Sequence, residues 1–156
     1  MELLHINELA PDFKLPDKDG KYHRLSDFLG KRIVLYFYPK DDTPGCTTEA
    51  CSFRDDYKAY TDNDIVIIGI SKDNPESHQK FIDKYELPFL LLSDENKETM
   101  KKYGAWGEKN MYGKISIGVI RKTFLIDEEA KIIKIYGRVR VKGHSDSILK
   151  EFGISK

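Results

Sequence analysis

Cys46 and Cys51 are the only two cysteines in the chain, and the residues around them alter what a thiol can do. Tyr38-Pro39-Lys40-Asp41-Asp42-Thr43-Pro44-Gly45-Cys46 leads out of the apolar run Ile33 to Tyr38. Thr43 followed by Pro44 reads as a helix N-cap and first helical residue. Cys46, Ala50, Phe53, Tyr57 and Tyr60 then step by 4, 3, 4 and 3 positions, the stripe of a helix with one buried face. Cys46 is therefore expected in the first helical turn, pointing inward. Backbone N–H groups in that turn lack intrahelical partners, and the helix dipole places partial positive charge on them. Both effects favour a thiolate, which is the nucleophilic form. The loop after a parallel strand is also where α/β proteins place ligands.

Cys51 falls off the stripe. Residues five apart in an intact helix have Cα atoms about 8.7 Å apart, beyond the roughly 7 Å a disulfide tolerates. The two thiols cannot pair while both stay in one helix, so pairing requires its first turns to unwind. Other readings of the pair remain open at this point. Cys46 could be a small core residue. The pair could be half a zinc site, although His5, His23, His78 and His144 are scattered without paired spacing. A thioredoxin-type oxidoreductase would use C-x-x-C, whereas this chain has four residues between its cysteines.

The elements that position this segment alternate between strand-like and helix-like. Ile33 to Tyr38 and Ile65 to Ile70 read as buried strands, and Phe89 to Leu92 as a short third one. Ile117 to Ile126 and Ile132 to Tyr136 flank Asp127-Glu128-Glu129-Ala130 as a hairpin. Asn74-Pro75 opens a helix carrying His78, Phe81, Ile82 and Tyr85 at helical spacing. Ser93-Asp94-Glu95 opens a short polar helix through Tyr103, and Ser145 to Phe152 closes the chain. Gly104 to Gly118 reads as a long polar loop, with Trp106 and Tyr112 as core or pocket-wall aromatics. This order predicts an α/β fold, a parallel or mixed sheet covered by helices. With 156 residues and no linker or repeat, one domain over 1–156 is expected.

Composition narrows the function classes. Lys+Arg and Asp+Glu are both 26, so net charge gives no support for a nucleic-acid or anionic-membrane partner. No apolar run reaches the ~20 residues of a membrane helix. The first residues, Met1 to Glu8, carry neither a basic start nor an apolar stretch, so the cytoplasm is the expected location. In that compartment a cysteine pair reads as catalytic, redox-active or metal-binding.

Pro39-x-x-x-Thr43-Pro44-x-Cys46 resembles the active-site signature of the peroxiredoxins, and Cys51 resembles the second cysteine of the bacterioferritin-comigratory, or Q-type, subfamily. Ala10-Pro11-Asp12-Phe13, Tyr103-Gly104-x-Trp106-Gly107 and Arg121-x-Thr123-Phe124-Leu125-Ile126-Asp127 resemble other segments of that family. The resemblance implies a thioredoxin-like fold with an N-terminal extension and a central mixed sheet. It implies a monomeric thiol peroxidase for hydrogen peroxide and organic hydroperoxides, without a cofactor and recycled by thioredoxin or a similar dithiol. Cys46 matches the peroxidatic cysteine and Cys51 the resolving one. Thr43 matches the hydroxyl that orients thiolate and peroxide, Pro44 the shielding proline and Arg121 the active-site arginine. A peroxide-sensing switch that controls partner binding is the alternative use of the same pair. Strand alternation puts Val119, Arg121, Thr123 and Leu125 on one face and Ile120, Lys122, Phe124 and Ile126 on the other. Pattern alone does not say whether Arg121 or Lys122 faces Cys46. Glu49 reads as a solvated helix charge, outside the site.

Overall fold

An apolar run with no polar face is stable only where both of its faces are covered, and the sheet is built around one. The computed structural model describes residues 3–156. Its elements are β1 (Lys14–Pro16), β2 (Tyr22–Arg24), β3 (Arg32–Phe37), α1 (Pro44–Asp55), α2 (Tyr57–Thr61), β4 (Ile65–Ser71), α3 (Pro75–Tyr85), β5 (Leu90–Ser93), α4 (Glu98–Lys102), β6 (Trp106–Met111), β7 (Lys114–Val119), β8 (Lys122–Ile126), β9 (Ile132–Tyr136) and α5 (His144–Glu151). A five-stranded mixed sheet has the order β5-β4-β3-β8-β9, with β3 at its centre. β3 runs parallel to β4 and antiparallel to β8.

Each face of β3 meets its own core. Val34 and Tyr36 pack with Cys46, Ala50 and Phe53 of α1, Tyr60 of α2, Phe81 of α3 and Ile148 and Leu149 of α5. Ile33, Leu35 and Phe37 pack on the opposite side with Ala10, Phe13 and Leu15 of the N-terminal segment and with Met100 and Tyr103. Tyr38 N–H still donates to the Ile70 carbonyl at 3.1 Å. Pro39 has no N–H to continue the ladder, so the chain leaves the sheet there.

Several elements differ from the sequence reading. The stripe from Cys46 to Tyr60 lies on two helices, because Asp56 leaves the helix at φ −98°, ψ 7°. Its carboxylate instead accepts a hydrogen bond from the Ser145 hydroxyl at 2.7 Å. The segment expected as a loop from Gly104 to Gly118 is mostly a hairpin, β6 with β7, in register from Trp106↔Val119 to Met111↔Lys114. Tyr112 and Gly113 form its two-residue turn, both at positive φ, as such tight turns require. Tyr112 at the tip is fully exposed, so it is neither core nor pocket wall. Ile115 and Ile117 are also exposed, because the hairpin forms its own two-stranded sheet apart from the central one. The run Ile117 to Ile126 is split for the same reason. Its first part pairs with β6 and its second with β3 and β9. The chain changes sheets at Ile120 and Arg121, where Ile120 N–H donates to the Ala105 carbonyl at 2.8 Å. The polar helix begins at Glu98, later than its serine signal.

Gly69 on β4 shows how tightly the site's floor is packed. A Cβ there would lie 2.8 Å from both the Tyr36 ring and Leu91 Cδ2. Both neighbours are buried in the core, so neither can retreat freely. Gly69→Ala is expected to destabilise the fold by about 1–3 kcal/mol. Urea unfolding should show a lower midpoint at unchanged slope, and an unchanged midpoint would contradict the packing argument.

Candidate active site

The site forms where β3 hands the chain to α1. Asp42 takes a left-handed conformation at φ 57°, and Thr43 returns to extended backbone at the N-cap. Pro44, Gly45 and Cys46 follow as the first three helical residues. The N-cap position is as expected, but its hydrogen bond is not. The Thr43 hydroxyl donates to the Lys40 carbonyl at 2.8 Å and makes no cap bond to the helix. The first-turn N–H groups therefore keep their positive field for whatever lies at the helix mouth. Pro44 is exposed. Cys46 is 2% exposed and belongs to the core on the α1 side of the sheet.

Arg121 is the cation that reaches this sulfur. Beyond the break, β8 resumes its alternation with Thr123 and Leu125 on the α1 side of the sheet, and Arg121 extends that face. Its Nη2 donates to Cys46 Sγ at 3.3 Å and its Nη1 donates to Glu49 Oε1 at 2.6 Å. Lys122 points elsewhere, with Nζ 3.3 Å from where a Cβ on Gly104 would sit. Gly45 makes room for the arginine, since a Cβ there would lie 3.3 Å from Nη2.

Glu49 corrects the sequence reading: it is not solvated but 0% exposed. It stands three residues after Cys46, one turn along the same buried face, so one guanidinium can span both. That three-residue step was the available signal, and the polar pair Thr47-Thr48 just before Glu49 made the carboxylate read as part of a solvated face. Burial pushes the Glu49 carboxyl up to about 7, while Arg121 pulls in the other direction. Its second oxygen, Oε2, is buried without a hydrogen-bond partner among the described residues. Burial disfavours the Arg121 cation, but the charges of Glu49 and Cys46 outweigh it and hold the guanidinium above its ordinary value. His144 stays neutral nearby, pushed down to about 4 by burial and by Arg121, with Nε2 2.8 Å from the Thr123 hydroxyl oxygen. Tyr36 is pushed well up, first by burial and then by the negative charges of Glu49 and Cys46.

Both cysteines are free thiols, Cys46 buried and Cys51 half-buried, on one continuous α1. The helical spacing that forbids a disulfide is therefore present in this form. Burial raises the Cys51 thiol above its ordinary value. Of the residues singled out in the sequence, Cys46, Thr43, Pro44 and Arg121 share the helix mouth, while Cys51 sits farther along α1. Among the described residues, no group of three His, Cys, Asp or Glu side chains is arranged to hold a metal, and no helix is long and apolar enough to cross a membrane.

Comparison with known proteins gives one consistent answer. Residues 6–135 match the AhpC/TSA family. Peroxiredoxin Bcp of Bacillus subtilis is 49% identical over 141 residues, covering 90% of each chain. Peroxiredoxin Bcp of Escherichia coli is 42% identical over 149 residues, covering 96% of each. The bacterioferritin comigratory protein of Xanthomonas campestris, solved in a study of its alkyl peroxide reduction, superimposes with a TM-score of 0.85 at 35% identity, covering 90% of each chain. A PrxQ structure from Xylella fastidiosa reaches 0.91 at 30% identity, covering 98% of each. With a mixed sheet carrying a cysteine at a helix mouth beneath an arginine, the chain belongs to the AhpC/TSA family and, within it, to the Bcp or Q-type peroxiredoxins.

Proposed function

We propose a specific cycle for this peroxidase: Cys46 reduces hydrogen peroxide and organic hydroperoxides, Cys51 resolves the product, and a dithiol such as thioredoxin restores both thiols. The observation that carries it is the 3.3 Å contact between Arg121 Nη2 and Cys46 Sγ. A guanidinium cannot lose its proton at working pH and presents several donors in one rigid fork. It stabilises negative charge on the sulfur before reaction and on the departing oxygen during it. The Cys46 thiolate attacks one peroxide oxygen. An S–O bond forms, the O–O bond breaks, and the departing oxygen takes a proton to leave as alcohol or water. The Thr43 hydroxyl, now donating to the Lys40 carbonyl, stands at the N-cap of α1 and in this cycle reorients toward the peroxide. Pro44 shapes the outer edge of the same mouth.

Cys46 sulfenic acid then condenses with the Cys51 thiol, forming a disulfide and releasing water. This step requires α1 to open, since its intact geometry holds the two cysteines too far apart. An external dithiol reduces the bridge through a mixed disulfide and is itself oxidised. The cycle needs no second copy of the chain and no cofactor, and it suits the cytosol, where dithiol reductants are maintained.

Three outcomes test this cycle. One equivalent of hydrogen peroxide should remove two thiols per chain without dimerisation, and Cys46→Ser should lose none. Cys51→Ser should consume about one equivalent and then stop, even with thioredoxin present. A wild-type protein that oxidised once and did not turn over with any dithiol would be a switch instead. At the arginine, Arg121→Lys should slow Cys46 oxidation by roughly a hundredfold, since its single point charge cannot replace the fork. Glu49→Gln should slow it about tenfold, since the guanidinium keeps a hydrogen bond but loses the paired negative charge that holds it in place; an unchanged rate in rapid-mixing experiments would contradict the role assigned to each. Glu49 also sets a pH dependence. Its folded value, about 7, lies above its ordinary one, so its contribution to stability is full at acid pH and is lost as pH rises through about 7. Denaturation of wild type and Glu49→Gln across that range should show the wild type losing stability relative to the variant, and parallel curves would contradict the assignment.

A further inference from the structure

The loop that carries the chain into α1 is fixed from outside the site by a buried carboxylate the chemistry does not use. Asp41 is 7% exposed. Tyr38 O–H donates to its Oδ1 at 2.6 Å, and Ser77 O–H donates to its Oδ2 at 2.8 Å. His78 Nδ1 meets the same Oδ2 at 2.8 Å, and its Nε2 lies 3.1 Å from the Leu92 carbonyl oxygen, so one imidazole ties the loop to β5. Asp41 N–H donates to Asp73 Oδ2 at 2.8 Å, which the Ser71 hydroxyl also reaches. Residues 38–41 are thus held by the end of β4, the start of α3 and β5. Beyond Thr43 the polar ties change character. Thr48 and Ser52 bond only within α1, and the polar contacts from outside the helix are those of Arg121 to Cys46 and Glu49 and, in the last turn beyond Cys51, that of Arg54 Nη1 donating to the Tyr85 carbonyl.

We propose that Asp41, with Ser77 and His78, is a positioning hinge that confines the redox unwinding to the residues after Thr43. The proposal rests on the Cys46–Cys51 cycle above. Asp41 does not touch the reacting atoms and acts through the loop. With the hinge fixed, α1 reopens and rewinds about one point, so Cys46 returns to Arg121 after each reduction. With it loosened, the loop moves with the helix. The wound form that attacks peroxide becomes less ordered, and the unwound form that reaches Cys51 becomes easier to enter.

That division of labour has a chemical readout. The Cys46 sulfenic acid has two fates. Cys51 captures it as disulfide plus water, or a second hydrogen peroxide oxidises it to sulfinic acid, itself becoming water. Asp41→Asn, and more mildly Ser77→Ala, should slow the first oxidation several-fold. At a fixed high hydrogen peroxide concentration, both should lower the ratio of sulfinic acid to disulfide at least threefold by mass spectrometry. Ile132→Ala, which weakens the core on the opposite face of the sheet, should leave that ratio at the wild-type value. In wild type itself, amide exchange should show Thr47 to Phe53 losing protection on oxidation while the Asp41 amide keeps its own. This arm decides the matter even if Asp41→Asn does not fold. An Asp41 amide released together with α1, or an unchanged ratio in a folded variant, would overturn the hinge alone. A wild-type protein that forms no Cys46–Cys51 disulfide would overturn the cycle, and the hinge with it.

Discussion

The structure turns on a guanidinium shared between a sulfur and a carboxylate in a nearly dry place. Cys46 and Glu49 are both buried on α1, and Arg121 bridges them from the residue before β8, on the same face of the sheet. Charge in such surroundings is costly unless it is paired and hydrogen-bonded. A buried thiolate therefore needs a cation, and a mostly buried cation needs a second anion when the thiol is neutral or oxidised. Glu49 supplies that anion. Its raised carboxyl value measures the burial it bears while holding the arginine in place.

The rest of the fold serves this contact. β3 must be covered on both faces, which fixes where α1 starts. The change of sheet at Ile120 and Arg121 aims the arginine at α1 while Lys122 goes to the other side. Ala50 and Phe53 anchor the wound helix in the core. Yet the same helix holds Cys46 and Cys51 too far apart to bond. In the proposed cycle the form ready for peroxide therefore differs from the form that closes the disulfide, and catalysis is an exchange between two shapes of one helix.

Much of this was legible in the sequence, for physical reasons. Cys46 in the first turn followed from Thr43-Pro44 and from an apolar stripe with helical steps. The central strands were uninterrupted apolar runs, and Asn74-Pro75 opened α3 with the Asn74 side chain accepting from Ser77 N–H, as its residue types require. Arg121 was selected by family resemblance, because alternation could not choose between neighbouring cations on a strand. Glu49 was missed because carboxylates on helices are usually solvated, and nothing local announces a partner 72 residues away. The β6–β7 hairpin was missed because its strands mix glycine and charge with exposed isoleucines, leaving no buried face to give a period. The Asp41 anchor was invisible because His78 occupied a core position in the helical pattern and its partner lay 37 residues earlier.

The central claim is that the Arg121 guanidinium at Cys46 Sγ is what makes this cysteine react with peroxide. The most direct measurement is the rate at which hydrogen peroxide oxidises Cys46 in rapid mixing, compared between reduced Cys51→Ser protein and the same protein carrying Arg121→Gln. The rate is expected to fall by roughly a hundredfold or more once the guanidinium is gone. Equal rates with and without Arg121 would contradict the claim.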